Sequence, residues 1–160
     1  MLKLFGVMMI VFSCTAAGFS AAAVYRLREE QLEGFRALIS YIGAQIDVFL
    51  TPLDSIYADF KNTRLEACGF LKLLRESDFK TALEGCHGRI FLGSSEICEL
   101  EKFFFGLGRH DASEEKRHCA YYEKRFTEIC AAAHSETASK VRLCRAFGFL
   151  GGLMLAVILL

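Results

Sequence analysis

The chain has 160 residues, 53% of them hydrophobic, with 19 acids set against 19 bases. That length suits one domain with attachments. The balanced charge excludes the strong basic excess by which a nucleic-acid binder neutralises phosphates. The seven cysteines are odd in number and scattered through helical patterns. A disulfide-stapled secreted domain would be even-numbered and loop-rich, so these read as reduced thiols in small core positions.

The hydrophobicity is concentrated at the two ends. Residues 4–25 carry no charge over 22 positions, about the length of helix that crosses a bilayer. The run ends at Tyr25-Arg26-Leu27-Arg28, an aromatic and then basic boundary of the interfacial kind. A cleaved leader is the alternative, with Lys3 as its basic start and Ala21-Ala22-Ala23 as its cleavage site. The absence of a polar segment before that site disfavours it, and Val11-Phe12-Ser13 is a poor approach to a lipidated Cys14. Cys14, Gly18 and Ala22 form a small-residue ridge at helical spacing, which would let a second membrane helix approach closely.

Beyond the boundary, Leu32, Phe35, Ile39, Ile42, Ile46 and Phe49 repeat at alternating steps of three and four, a seven-residue seam. The helix is expected to stop near Leu50. Thr51-Pro52-Leu53-Asp54 is a start signal, with proline at the first helical position. It predicts a second helix to about Arg64 that buries Ile56, Tyr57 and Phe60. A third is expected from Leu65 to Arg75, with Cys68, Leu71 and Leu74 inward. Ser77 is expected to cap a short fourth, from Asp78 to Leu83. Gly85 to Ser95 reads as the one real loop, and Ser94-Ser95-Glu96 opens a fifth helix through Phe105. Its core face would be Ile97, Leu100, Phe103 and Phe104. Three adjacent phenylalanines cannot share one face, so one ring either packs under a loop, the favoured reading, or is an exposed contact anchor.

Asp111, with Glu114 three residues on, marks the start of the last helix. From there Cys119, Tyr122, Phe126, Cys130, Ala133, Thr137, Val141, Cys144 and Gly148 recur with an eleven-residue period. That period keeps one face of a nearly straight helix turned to a partner. Read as one element, 111–160 would be roughly 70 Å long. Its last 14 residues are uncharged and reach only about 21 Å, so the stems of Arg142 and Arg145 would have to lengthen the span. Gly148 and Gly152 form a second small-residue ridge. Between the two uncharged ends lie 18 bases and 19 acids, formally −1, and only Lys3 stands outside them. Arg26 and Arg28 flank the first run on the side of the middle, and Lys140, Arg142 and Arg145 flank the second, so positive-inside reasoning puts the middle in the cytoplasm and both termini outside. No alternating strand pattern occurs. The reading is an all-α protein: a transmembrane helix at 1–25, a cytosolic bundle of about six helices at 26–145 and a transmembrane helix at 146–160.

Chemistry is sparse. Cys130 and His134 lie one turn apart and could share a metal, but Cys119 is about 16 Å away along the axis, so further ligands would have to come from other helices. A thiol or metal sensor is thus the second functional reading, and a secreted helical protein with a removed leader the third. Cys86-His87 lacks a third orienting group for nucleophilic catalysis and reads as solvated loop. Gly85, Gly88 and Gly93 are followed by no G-K-[ST], so they form no phosphate cradle. No enzyme activity, cofactor, nucleic acid or small-molecule substrate is expected.

Several segments taken together resemble one family. Met1-Leu2-Lys3-Leu4-Phe5-Gly6, the Tyr25 to Arg28 boundary, Thr51-Pro52-Leu53, Phe103 to Asp111 with Leu107-Gly108-Arg109-His110-Asp111, and Phe147 to Gly152 are similar, in order and spacing, to stage III sporulation protein AB. The resemblance implies a membrane scaffold made in the mother cell of an endospore former, within the secretion-like complex that joins mother cell and forespore. Its cytosolic bundle would be similar to that of the inner-membrane platform protein of type II secretion and type IV pilus machines. By that analogy it would couple a cytosolic ATPase to membrane partners. Thr51, Pro52, Leu53, Gly108 and Asp111 are the interaction or structural candidates it implies; Gly18, Ala22, Gly148 and Gly152 are the membrane-packing candidates. Four residues after the aspartate the family usually carries glutamine, where this chain has Glu115.

Overall fold

The computed structural model describes residues 2–49, 53–109 and 111–159. Thr51 and Pro52, two of the candidate residues, and His110 and the helix end at Leu50 lie outside them. Seven helices form the described chain: α1 Leu2–Phe49, α2 Leu53–Asp59, α3 Thr63–Ala67, α4 Phe70–Glu76, α5 Phe79–Gly85, α6 Ser94–Gly106 and α7 Ala112–Leu159. No strand occurs among the described residues. The all-helical expectation holds, with one more helix than expected.

Contacts divide the chain into two units, Met1–Leu27 with Ala133–Leu160, and Arg28–Ala132. In the second unit the seven-residue seam of α1 forms the heart of the core. Leu32, Phe35, Ile39 and Ile42 are fully buried, and so is Leu38, which lies off the seam. Burying a side chain of this size stabilises by roughly 1.5–3 kcal/mol. The same unit receives Cys119, Tyr122, Phe126 and Cys130 of α7, all buried. Phe70 joins this core to the short helices, edge-on to Phe35 at 5.0 Å and to Phe79 at 5.8 Å. Phe79 in turn stacks on Phe104 at 4.1 Å.

The short helices correct the expected boundaries. α2 ends at Asp59 rather than near Arg64, because Asn62 takes an extended conformation and starts a new helix. Its side chain accepts the N–H groups of Arg64 and Leu65, two of the donors that a helix start leaves unpaired. The expected third helix is split at Gly69, whose φ of +84° is the left-handed region, which glycine enters without steric cost. Ser77 does not cap α5. Its N–H and hydroxyl both donate to the Leu73 carbonyl and close α4, and Asp78 takes the N-cap position instead. Cys86 was expected in a solvated loop and is instead buried.

Two polar clasps hold the following loop to α1. Gln31 is buried; its amide donates to the Arg89 carbonyl and its oxygen accepts the Phe91 N–H. Glu96, also buried, accepts from the Gly93 N–H at 2.6 Å and pairs with Arg28 at 2.7 Å.

In the first unit the two helices meet along the small-residue ridges. A Cβ placed on Gly18 would lie 2.7 Å from the Cys144 carbonyl oxygen and 3.0 Å from Gly148 Cα. One on Gly148 would lie 3.0 Å from the Cys14 carbonyl oxygen, and one on Gly152 3.2 Å from Val11 Cα. At Gly18 and Gly148 the nearest neighbours are backbone atoms, and at Gly18 no side chain fits unless a helix moves. Ala22 is buried on the same face, as are Ala133, Thr137 and Val141 of α7. Thus the eleven-residue register of α7 is read correctly from the sequence. Among the described residues no helix is long and apolar enough to cross a membrane. The side chains of Leu4, Phe5, Val7 and Ile10, which belong to the first uncharged run, fall outside the described set.

Candidate functional site: the turn into the last helix and its groove

The chain passes from α6 to α7 through Leu107, Gly108 and Arg109. Gly108 has φ +76°, a conformation that any side chain would strain. A Cβ there would stand 3.7 Å from Leu53 Cδ1, so the Leu53 side chain lies beside the turn. Two of the candidate residues, Leu53 and Gly108, are thereby brought together. Asp111 stands just before α7, and its carbonyl accepts the Glu115 N–H at 2.9 Å.

The side chain that reaches back to this turn is that of Glu115. Glu114 lies 3.5 Å from Arg117 on the exposed side, whereas Glu115 is only 4% exposed and its Oε1 accepts the Gly108 N–H at 2.9 Å. Its other oxygen is enclosed without a hydrogen-bond partner among the described residues. An unpaired buried carboxylate oxygen costs free energy that a neutral amide avoids in part. Glu115→Gln is therefore expected to raise stability by about 1 kcal/mol, because the Gly108 bond is kept while the charge is removed. Glu115→Leu is expected to lower it by about 1–3 kcal/mol, because the Gly108 N–H loses its acceptor. Urea unfolding followed by circular dichroism measures both, and equal midpoints for the two variants would refute the assignment.

Beside the turn lies an open groove of about 680 Å³, lined by α5, α6 and the turn itself. The stacked rings of Phe79 and Phe104 form its floor, and Lys80, Glu101 and Lys102 stand on its rim. Phe105 is the exposed member of the phenylalanine triplet, and the Arg109 guanidinium lies 3.8 Å over its ring. Asp78, also lining the groove, has its carboxyl held below the usual range by the Thr81 hydroxyl. On the inner side of α6, His118 faces the Phe103 carbonyl at 3.0 Å and stacks on the Phe103 ring. A Cβ on Gly106 would collide with that imidazole.

All seven cysteines are free. Burial pushes the thiols of Cys119 and Cys130 up to about 11, so neither is a thiolate near neutral pH, the form that binds metal or reacts. No three His, Cys, Asp or Glu side chains come together as metal ligands among the described residues. Sequence reasoning named Glu115 only as a departure from the family's glutamine and missed its bond to Gly108, as it missed Gln31 and the pairing of Arg28 with Glu96; their trace in the sequence is a polar residue at a position whose helical period faces inward.

The protein-family model described as Stage III sporulation protein AB matches residues 3–160. The Stage III sporulation protein AB of Bacillus subtilis (strain 168) is 29% identical over 171 aligned positions, which cover 100% of both chains. No solved structure matches the chain.

Proposed function

This chain belongs to the stage III sporulation protein AB family, and from that premise we propose that it acts in sporulation as a non-enzymatic membrane scaffold. In this reading the two uncharged runs cross the mother-cell membrane around the forespore, and the 26–145 segment stands in the cytosol. There it couples a secretion-type ATPase to the other membrane proteins of the stage III complex. The observation that carries the reading is the seam in the first unit. Two runs that the sequence leaves uncharged over 22 and 14 residues meet through Gly18 and Gly148 at backbone distance, the packing that membrane helices use where burial from water cannot drive association. Large apolar side chains then face outward on both, among them Phe12, Phe19, Phe147 and Met154. Arg26, Arg142 and Arg145 mark the cytosolic ends. The exposed Phe105–Arg109 pair on the groove is the surface assigned to the ATPase, as a rigid aromatic anchor beside a charge.

Fractionation and labelling test the topology together. The chain is expected in the membrane pellet after carbonate extraction. Cys98, which is exposed, is expected to react with an impermeant maleimide in inverted vesicles and not in intact cells. Cys98→Ser should remove that label, since Cys68, Cys86, Cys119 and Cys130 are buried and the half-buried Cys14 and Cys144 lie on the glycine seam between the two terminal helices. Labelling of Cys98 from outside would overturn the orientation, and recovery in the soluble fraction would overturn the anchor. Detergent-solubilised full-length chain should retain the ATPase, and Phe105→Ala with Arg109→Glu should release it.

A further inference from the structure

We infer that the basic collar of the helix pair is a binding surface for anionic phospholipid headgroups. The inference rests on the membrane reading and adds the class of lipid to it. Charge is unevenly divided between the two units: Met1–Leu27 with Ala133–Leu160 holds five bases against one acid, whereas Arg28–Ala132 holds 14 against 18. The single acid of the first unit, Glu136, is already paired with Lys140 at 2.6 Å. Arg26, Arg142 and Arg145 are exposed, and no carboxylate among the described residues pairs with them.

Two of the collar's cations are set against aromatic rings of the facing helix. Lys140 Nζ lies 5.0 Å over the Tyr25 ring, and the Arg145 guanidinium lies 5.0 Å over Phe19. Phe19 is six residues inside the uncharged run, about 9 Å of helical rise below Tyr25. The collar therefore extends from the end of the apolar run into it, flanked by exposed Leu143 and Phe147. A soluble polyanion would meet hydrocarbon at that depth. A phospholipid places its phosphate at the boundary and its acyl chains on the apolar flank, and a guanidinium offers the phosphate two parallel donors. Each basic side chain near an anionic leaflet strengthens the attraction roughly fivefold, and three guanidinia with no carboxylate partner among the described residues suit two or three singly charged headgroups.

The test uses the full-length chain in nanodiscs of equimolar phosphatidylcholine and phosphatidylglycerol, extracted into mild detergent, with retained lipids counted by native mass spectrometry. The wild type is expected to retain phosphatidylglycerol over phosphatidylcholine by about fivefold or more, with the excess falling as salt is raised. Arg26→Gln, Arg142→Gln and Arg145→Gln combined should bring retention to the bulk ratio, and the three lysine replacements should restore most of the excess. Circular dichroism checks that each variant keeps its helix content. Wild-type retention at the bulk ratio overturns the inference, and so does a glutamine variant as enriched as the wild type. A chain that enters pure phosphatidylcholine nanodiscs but shows no anionic preference refutes this inference alone. One that enters no bilayer refutes the membrane reading and this inference with it.

Discussion

Gly18→Leu is expected to separate the two helices of the terminal unit and to cost several kcal/mol. The position tolerates no side chain: even a Cβ would stand 2.7 Å from the Cys144 carbonyl oxygen and 3.0 Å from Gly148 Cα. Both neighbours are backbone, so no rotamer change relieves the clash and the helices must move apart bodily. Overpacking of this kind costs about 1–3 kcal/mol where side chains can give way, and more where they cannot. Separation also forfeits the close approach of Gly148 to Cys14 and of Gly152 to Val11, since dispersion falls steeply with a gap. Gly151 supplies the control, because a Cβ there meets nothing within 4 Å. Gly151→Leu is expected to leave the thermal midpoint of the detergent-solubilised chain close to wild type, while Gly18→Leu lowers it sharply. If the two variants melt together, the glycine seam does not hold this unit.

The second large effect belongs to the other unit. Phe70→Ala is expected to destabilise it by about 3–5 kcal/mol, the range for emptying a buried aromatic site. A domain of this size has about 5–15 kcal/mol in hand, so the variant lies near the edge of folding. Phe70 is fully buried and is the only described ring in contact with both Phe35 of α1 and Phe79 of α5. Its loss would also loosen the groove floor, since Phe79 carries Phe104. Urea unfolding by circular dichroism reads the loss. Phe105→Ala is the contrast: the ring is 68% exposed, and removing it should change stability by under about 0.5 kcal/mol. Equal losses in the two variants would show that the aromatic chain from Phe35 to Phe104 is not what joins the short helices to α1.

Much of this protein is written in spacing. The steps of three and four at Leu32, Phe35, Ile39 and Ile42, and the eleven-residue register from Cys119 to Val141, name residues that the structure buries. The ridges of Cys14, Gly18 and Ala22 and of Gly148 and Gly152 name the faces that meet. These patterns are legible because a helix has one period and a small residue one consequence, whatever lies elsewhere in the chain. The helix ends between Asp59 and Phe79 were misplaced because they turn on single side chains and dihedrals. Asn62 had to be chosen over its neighbours as a cap, and Gly69 had to be recognised as left-handed rather than helical.

The sequence by itself determined the all-helical class, the inward faces of the long helices and the concentration of apolar residues at the chain ends, all of which follow from local geometry and composition. Only the tertiary structure decided that Glu115 rather than Glu114 closes on Gly108, that Gln31 clasps the loop at Arg89 and Phe91, and that Arg109 covers Phe105 beside an aromatic groove. A polar group takes the partner that arrives beside it once water has left, and that partner comes from a segment whose distance along the chain no local pattern records.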